Sequence, residues 1–446
     1  MLEKFFHLKE HGTTISTEIL AGLTTYITMS YVIFVQPAVL SRAGMDFGSV
    51  MTATCVSSAI GSILMGYLAN LPVAQAPAMG HNFFFVFTVC GAVSMGGYGF
   101  TWQAGLGAIL IAGTAMTILS QFGMRDKVVQ AMPLSLKFAI PAGIGLFITL
   151  IGMQWGGVVV ANPGTMISLG SFTHGPAWLV LITVLVIALL MALEIRGSIL
   201  IGIFFATVVS LFLGYAEWHG VFGLPASIMP TLLSLDVFEA LSMPRIASVV
   251  FIFFILDLFD TIGTLTAVCS GAGLMKGGYL PKAREALTAD GAATVAGSLL
   301  GTTTVTSYIE SASGVASGGR TGLTAIVTGI LFIFSLVLYP LAKTVGGGFE
   351  ISEGVYLYPV IAPALIIVGF FMVNLASKIE WESPTEGIPA FLTMVAMPFT
   401  YSITEGVAFG IISYSLLHTG HFSFPKTSPI IHFLAVIFLA RYLFIY

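Results

Sequence analysis

Charge is what this chain has least of. Only 8% of its 446 residues are Asp, Glu, Lys or Arg, and 57% are hydrophobic, whereas a soluble protein carries about 25% charged residues. That excludes an ordinary water-soluble domain and indicates a polytopic protein of the lipid bilayer. The formal net charge of −4 is small and no basic block is present, so no nucleic-acid partner is expected. Cysteine is scarce as well. Cys55, Cys90 and Cys269 stand far apart in apolar segments, which leaves no disulfide framework and no metal site, and no cofactor is expected. The start, M-L-E-K-F-F-H-L-K-E-H-G-T-T, lacks the parts of a signal peptide and reads as a short amphipathic lead-in on the membrane surface. A phosphate loop is missing too. The stretch 311–324, S-A-S-G-V-A-S-G-G-R-T-G-L-T, does not follow the G-x-x-x-x-G-K-[ST] order, and its small residues suit close helix approach. Without an ATP-binding domain, any active transport must draw on an ion gradient.

Long apolar runs are what the chain has in abundance. A membrane-crossing helix takes about 20 apolar residues. Spans are expected near 17–40, 50–68, 74–92, 103–122, 133–153, 177–195 and 198–215, then near 246–270, 286–302, 304–318, 322–342, 355–376, 387–417 and 429–445. Pro398 and Gly406 can break the 387–417 run in two. The runs near 74–92 and 304–318 are short and interrupted by Pro, Gly, Ser or Thr. With the amino terminus inside, Lys4, Lys9, Arg125, Lys127, Lys137, Arg196, Lys276, Lys282, Arg284, Arg320, Lys378 and Arg441 fall on the inside, and Arg42, Arg245, Lys343 and Lys426 on the outside. Twelve of sixteen inside favours fourteen spans with both termini cytoplasmic.

The longest connection, 216–245, divides the chain into halves of seven spans, 1–215 and 246–446. An internal repeat supports the division. M-T-A (51–53) and G-S-I-L (61–64) match L-T-A (287–289) and G-S-L-L (297–300), and G-L-G-A-I (105–109) matches G-L-T-A-I (322–326). Seven spans is an odd number, so the second half enters from the opposite side. Inverted repeats of this kind are typical of secondary transporters, whose site lies at the midplane where broken segments meet.

The polar residues in the apolar runs point to that site. Asp257 and Asp260 lie in L-D-L-F-D-T-I-G after an unbroken apolar run, and their i, i+3 spacing places both on one helical face. Glu310 lies in T-V-T-S-Y-I-E-S-A-S-G. An ionisable group at membrane depth costs roughly 2.5–3.5 kcal/mol and usually marks a substrate or ion pathway. A packing role is the competing reading. The segment Q-A-P-A-M-G-H-N-F-F-F (75–85) takes the matching position in the first half. Asn82 and Glu310 offer donors and acceptors for a planar heterocycle, and Phe83, Phe84 and Phe85 can cover its faces or simply pack. His81 is either a substrate partner or a satisfied group at a helix break. Asp257 and Asp260 can carry a coupling proton, while Asp with Thr261 and Thr264 can form a sodium site.

These residues carry a family resemblance. G-L-T-T-Y-I-T-M-S-Y-V-I-F-V-Q-P (22–37), A-N-L-P-V-A-Q-A-P-A-M-G-H-N (69–82), D-L-F-D-T-I-G-T-L (257–265), T-S-Y-I-E-S-A-S-G-V-A-S-G-G-R-T-G (306–322) and P-A-F-L-T-M-V-A-M-P-F-T-Y-S-I-T-E-G (389–406) closely resemble the AzgA-like purine permeases. These are a branch of the nucleobase–cation symporter (nucleobase–ascorbate transporter) superfamily. The resemblance implies an all-α polytopic membrane protein of uracil-permease-like fold, with fourteen spans in two inverted sevens. Spans 1–4 and 8–11 would form a core domain and spans 5–7 and 12–14 a gate domain, with short strands in spans 3 and 10 and often a homodimer. It implies proton symport of hypoxanthine, guanine or adenine through the cell membrane, with Asn82, Asp257, Asp260 and Glu310 at the site and the carboxylates carrying the proton. The chain departs from the branch at His81 and Phe83, where Leu and Ala are usual, which bears on substrate preference. D-L-F-D leans towards the hypoxanthine/guanine type. Other readings are a same-fold carrier of pyrimidine, xanthine or an inorganic anion, a channel, and an intramembrane aspartyl enzyme. The enzyme needs its two Asp on different helices.

Overall fold

The computed structural model describes residues 2–95, 97–121, 133–173, 175–275, 280, 282–352, 355–420 and 428–444. Of the basic residues behind the charge bias, Arg125, Lys127, Lys276 and Lys426 lie outside the described residues.

The molecule is mostly helical because nearly every apolar run forms a helix. The first half contains α1 (Leu2–Phe6), α2 (Ile15–Met29), α3 (Val32–Leu40), α4 (Phe47–Leu64), β1 (Gln75–Pro77), α5 (Met79–Phe83), α6 (Trp102–Gln121), α7 (Leu134–Trp155), β2 (Val159–Asn162), β3 (Met166–Leu169), α8 (Ala177–Ala192) and α9 (Ser198–Leu213). After α10 (Val237–Ser242) come α11 (Ile246–Gly271), α12 (Ala283–Leu300), β4 (Val305–Ser307), α13 (Ser311–Ala316), α14 (Gly322–Phe334), α15 (Tyr339–Gly346), β5 (Phe349–Ser352), β6 (Val355–Leu357), α16 (Ala362–Val373), α17 (Pro384–Thr400), α18 (Ile403–Gly420) and α19 (Pro429–Phe444). Among the described residues, six helical stretches are long and apolar enough to cross a membrane: Ile15–Ala43, Phe47–Ala69, Trp102–Gln121, Leu134–Trp155, Ile246–Gly271 and Gly322–Gly346. Exposed Leu185, Leu189, Phe212 and Phe433 belong to a wide apolar exterior, which is what a bilayer covers.

Local chemistry sets the helix starts. The Thr14 side chain accepts from Thr17 N–H ahead of α2, and Asp46 Oδ2 accepts from Ser49 N–H at 2.8 Å ahead of α4. Buried Glu18 ties two distant segments together. Its carboxylate accepts from the Arg320, Thr321 and Thr324 backbone N–H groups and from the Thr321 and Thr324 hydroxyls. It thus answers the free donors and the dipole at the start of α14. Nearby, a Cβ added at Gly66 would strike the Gly322 carbonyl. Only glycine allows this approach of two backbones.

The helices sort into two packing groups. In one, α14 packs on α2 and α4, α12 on α4 and α6, and α13 on α2. In the other, α16 packs on α7 and α8, α17 on α7 and α18, and α8 on α9. The interrupted stretches carry short strands, β1 and β4, which pair with each other. Two further hairpins, β2–β3 and β5–β6, were not foreseen. They sit at one end of the molecule, where Tyr358 N–H donates to the Trp155 carbonyl at 2.7 Å.

The run 387–417 is not one helix. α17 and α18 fold back on each other at Tyr401, whose φ is +54°. A Cβ added at Gly406 would strike Met397, and one at Gly410 would strike Thr393, so glycine lets the arms close up. α19 then runs back beside α18. Ser415 and His432 bond at 2.8 Å near one end, and Arg441 and Tyr442 reach Glu405 near the Tyr401 turn. The turn adds one helix to the count on which a same-side placement of the termini rested.

Candidate functional site

The centre of the molecule is the crossing of the two broken segments. β1 and β4 run antiparallel with Gln75 opposite Ser307, Ala76 opposite Thr306 and Pro77 opposite Val305. Ala78 N–H donates to the Thr304 carbonyl at 2.9 Å and Tyr308 N–H to the Ala74 carbonyl at 3.0 Å, which extends the ladder. Pro77 has no N–H and disfavours helix in the residue before it. The chain therefore stays extended until Met79, where α5 starts. β4 leads into α13 in the opposite sense, with Glu310 at its first cap. Irregular backbone at this depth is tolerated only inside protein or beside a water-filled cavity.

Acidic groups surround the crossing in two different settings. Asp257 is 2% exposed and acts electrostatically on Asp290 of α12, which is fully buried. Gln75 Nε2 donates to Asp290 Oδ1 at 2.9 Å, and Ser307 Oγ donates to the same oxygen at 3.3 Å. Thr261 lies on this side as well, its Oγ1 2.6 Å from Thr306 Oγ1.

Asp260, one turn further along α11, is exposed. The first half of this helix is largely buried, but Asp260, Gly263, Thr266, Ala267 and Ser270 form an accessible stripe running to its end. A Cβ added at Gly263 would have nothing within 4 Å. Because a carboxylate cannot face hydrocarbon cheaply, this stripe lines a path open to water. Half-buried Glu310 and exposed Ile309 meet the same space, and Asp260 and Glu310 act on each other electrostatically. Tyr31 OH donates to Glu310 Oε1 at 2.8 Å.

Asn82 takes another position. It is fully buried, and its Nδ2 donates to Gln36 Oε1 while its Oδ1 accepts from Gln36 Nε2 at 3.1 Å and from the Thr303 hydroxyl. Gln36 Nε2 also reaches Thr302 Oγ1 at 3.0 Å. Both ends of the Asn82 amide are therefore engaged within the protein. His81 is 3% exposed, its Nε2 has no hydrogen-bond partner, and its ring lies parallel to Phe253 with centroids 6.5 Å apart. Phe83, Phe84 and Phe85 are fully buried, Phe83 between Phe87 and Trp155. They pack and do not reach the accessible space.

Four residues here were not anticipated: Asp290, Gln36, Tyr31 and Gln75. Gln36 carries the signal that exposed Asp257, a polar group within a strongly apolar run, whereas the run around Asp290 is rich in small residues and weakly apolar, so the signal there is faint. Tyr31 and Gln75 carry none beyond their place beside the interrupted segments.

Comparisons with known proteins show the family and the fold. A family profile described as a permease family matches residues 16–408. The chain is 42% identical over 446 residues to the adenine permease AdeP of Escherichia coli (strain K12), covering 100% of this chain and 96% of that protein. It is 40% identical over 459 residues to the guanine/hypoxanthine permease PbuG of Bacillus subtilis (strain 168), covering 100% of each. Among solved structures, the transmembrane domain of the cyanobacterial bicarbonate transporter BicA superposes with a TM-score of 0.63 at 15% identity, over 90% of this chain and 97% of that one. At that identity the likeness concerns the fold alone.

Proposed function

This chain belongs to the permease family, and on that premise we propose that it imports purine nucleobases across the cell membrane by proton symport. One observation carries the reading: Asp260 and Glu310 face accessible space beside the crossing of two broken segments, the arrangement expected of a midplane substrate site. Glu310, held by Tyr31, accepts from ring N–H groups, and Asp260 faces it across the substrate. Asp257 and Asp290 hold the proton, with Thr261 and Thr306 beside them. Asn82 fixes the site from behind through Gln36 and Thr303, and His81 and Phe83 pack behind it. Identities of 42% and 40% to the adenine and the guanine/hypoxanthine permease are too close to choose between these purines.

The two packing groups are the core (spans 1–4 and 8–11) and the gate (spans 5–7 and 12–14) of two inverted seven-span repeats. α17 and α18 serve as the thirteenth and fourteenth spans, and α19, beyond the matched residues, is an addition. The amino terminus is cytoplasmic. The carboxyl end follows Arg441 to the opposite side, where Glu405 lies. A homodimer within the bilayer belongs to the same reading.

One feature favours the aspartyl-enzyme reading: Asp257 and Asp290 stand on different helices and act on each other electrostatically. Both are sealed from solvent, at 2% and 0% exposure, so neither water nor a scissile bond can reach them. An anion carrier is opposed by the convergence of carboxylates.

Uptake of labelled hypoxanthine, guanine, adenine and uracil into cells lacking purine permeases tests the proposal. Uptake of at least one purine, abolished by a protonophore, is the expected result. Well-expressed protein that moves none of the four would overturn it.

A further inference from the structure

We propose that a cleft at the hairpin end of the molecule is a second binding site for the purine, a peripheral one that receives the base before it moves to the central site. The proposal rests on the purine-carrier reading. The cleft lies where the Ile15–Ala43 stretch ends, between α3, the start of α4, α15 and β6. Its volume is about 430 Å³, within the usual range for small-molecule sites. α3 leads to it from the central site. Tyr31, the donor to Glu310, precedes that helix, and Ser41, in the cleft wall, follows it. The helical rise puts these two residues about 15 Å apart.

Four aromatic rings and two unlike charges make the walls. Phe47, Tyr339, Tyr356 and Tyr358 line the cleft, and glycines let the backbone approach them. A Cβ added at Gly48 would come within 3.1 Å of the Tyr339 ring, one at Gly346 within 2.8 Å of the Phe47 ring and one at Gly348 within 3.1 Å of the Tyr358 ring. Tyr358 is steadied by Trp155, with ring centroids 4.8 Å apart, and by the Arg42 guanidinium 5.9 Å from its centroid. Lys343 and Asp46 line the same space. Asp46 Oδ2 is taken by Ser49. Among the described residues, Asp46 Oδ1 and Lys343 Nζ have no hydrogen-bond partner, and the two do not pair with each other. A purine carries ring N–H donors and ring-nitrogen or carbonyl acceptors around one flat plate. Its faces suit the rings, an N–H can donate to Asp46 Oδ1, and an acceptor can take a hydrogen bond from Lys343 Nζ. Asp46, Lys343 and Tyr356 are exposed, so water competes for these contacts. Binding is therefore weak and exchange fast, as a receiving site requires.

Equilibrium dialysis of the purified protein with labelled adenine and labelled hypoxanthine tests the proposal. Glu310→Gln disables the central site and should leave one weakly bound purine per chain. Adding Tyr356→Ala or Lys343→Met should weaken that remaining binding by about fivefold or more. Adding Tyr356→Phe, which keeps the ring, or Lys343→Arg, which keeps the charge, should leave it unchanged. Both side chains are exposed, so these variants keep the fold, and an unchanged thermal midpoint checks this. With Glu310 intact, Tyr356→Ala and Lys343→Met should leave tight central binding in place and raise the KM of uptake with its maximal rate unchanged. Residual binding that ignores the cleft variants, or none at all where the unmodified chain binds purine, overturns the inference and leaves the carrier reading standing. An unmodified chain that binds neither purine removes the carrier reading itself, and the inference with it.

Discussion

Asp257 and Asp260 are a single helical turn apart, yet they lie in different surroundings. Asp257 lies buried beside Asp290, close enough for the two carboxyl groups to act on each other electrostatically, out of reach of solvent. Asp260 opens onto the accessible stripe with Glu310. The sequence spacing places both on one side of α11, but the neighbouring segments decide what each can do. A sealed pair of acids can store a proton but cannot touch a cargo. An open pair can meet a cargo, and water competes there for any proton. The account assigns proton and substrate to the two pairs on this basis.

Breaking the open pair should have the largest effect. Glu310→Gln removes a charged acceptor whose hydrogen bonds contribute about 1.5–3 kcal/mol each, so purine uptake should fall by about 100-fold or more, as initial rates in whole cells would show. Breaking the sealed pair should look different. Asp290→Asn is expected to reduce proton-driven accumulation by about tenfold while purine exchange across the membrane stays within about threefold. Equal losses in both assays would remove the distinction between the pairs. A milder change sharpens the open side. Tyr31→Phe deletes the donor to Glu310 and should raise KM about fivefold, the equivalent of one hydrogen bond of about 1 kcal/mol. Smallest in transport terms is Asn82→Ala. It strands Gln36 and Thr303, so it should cost about 1–3 kcal/mol in stability, seen as a lower thermal midpoint, with KM little changed in the protein that remains folded.

Much of the fold could be read from apolar runs because a bilayer demands them. The run expected at 246–270 is the helix Ile246–Gly271, and the broken segments do pair as strands. The turn at Tyr401 was harder to read. Pro398 and Gly406 flagged a break, but the chain reverses at a tyrosine in the left-handed region, held there by Phe87, Phe147 and Gln154 from distant parts of the chain. Among the site residues, Glu310, Asp257 and Asp260 stood out as charges in apolar surroundings. Asp290 was overlooked because α12, A-R-E-A-L-T-A-D-G-A-A-T-V-A-G-S-L-L, is weakly apolar and rich in small residues, so an acid there contrasts little with its neighbours. Asn82 stood out at the end of a broken segment, but its engagement by Gln36 comes from a contact across 46 residues that no local pattern records.

The central claim is that purine and proton cross together, and it is tested most directly with purified protein in liposomes containing a pH-sensitive dye. Adding labelled purine outside, with no imposed gradient and the membrane potential clamped, should bring purine in and acidify the interior in step. Glu310→Gln should abolish both signals and Asp290→Asn the acidification. Purine uptake by the unmodified protein with no change in internal pH would contradict the account.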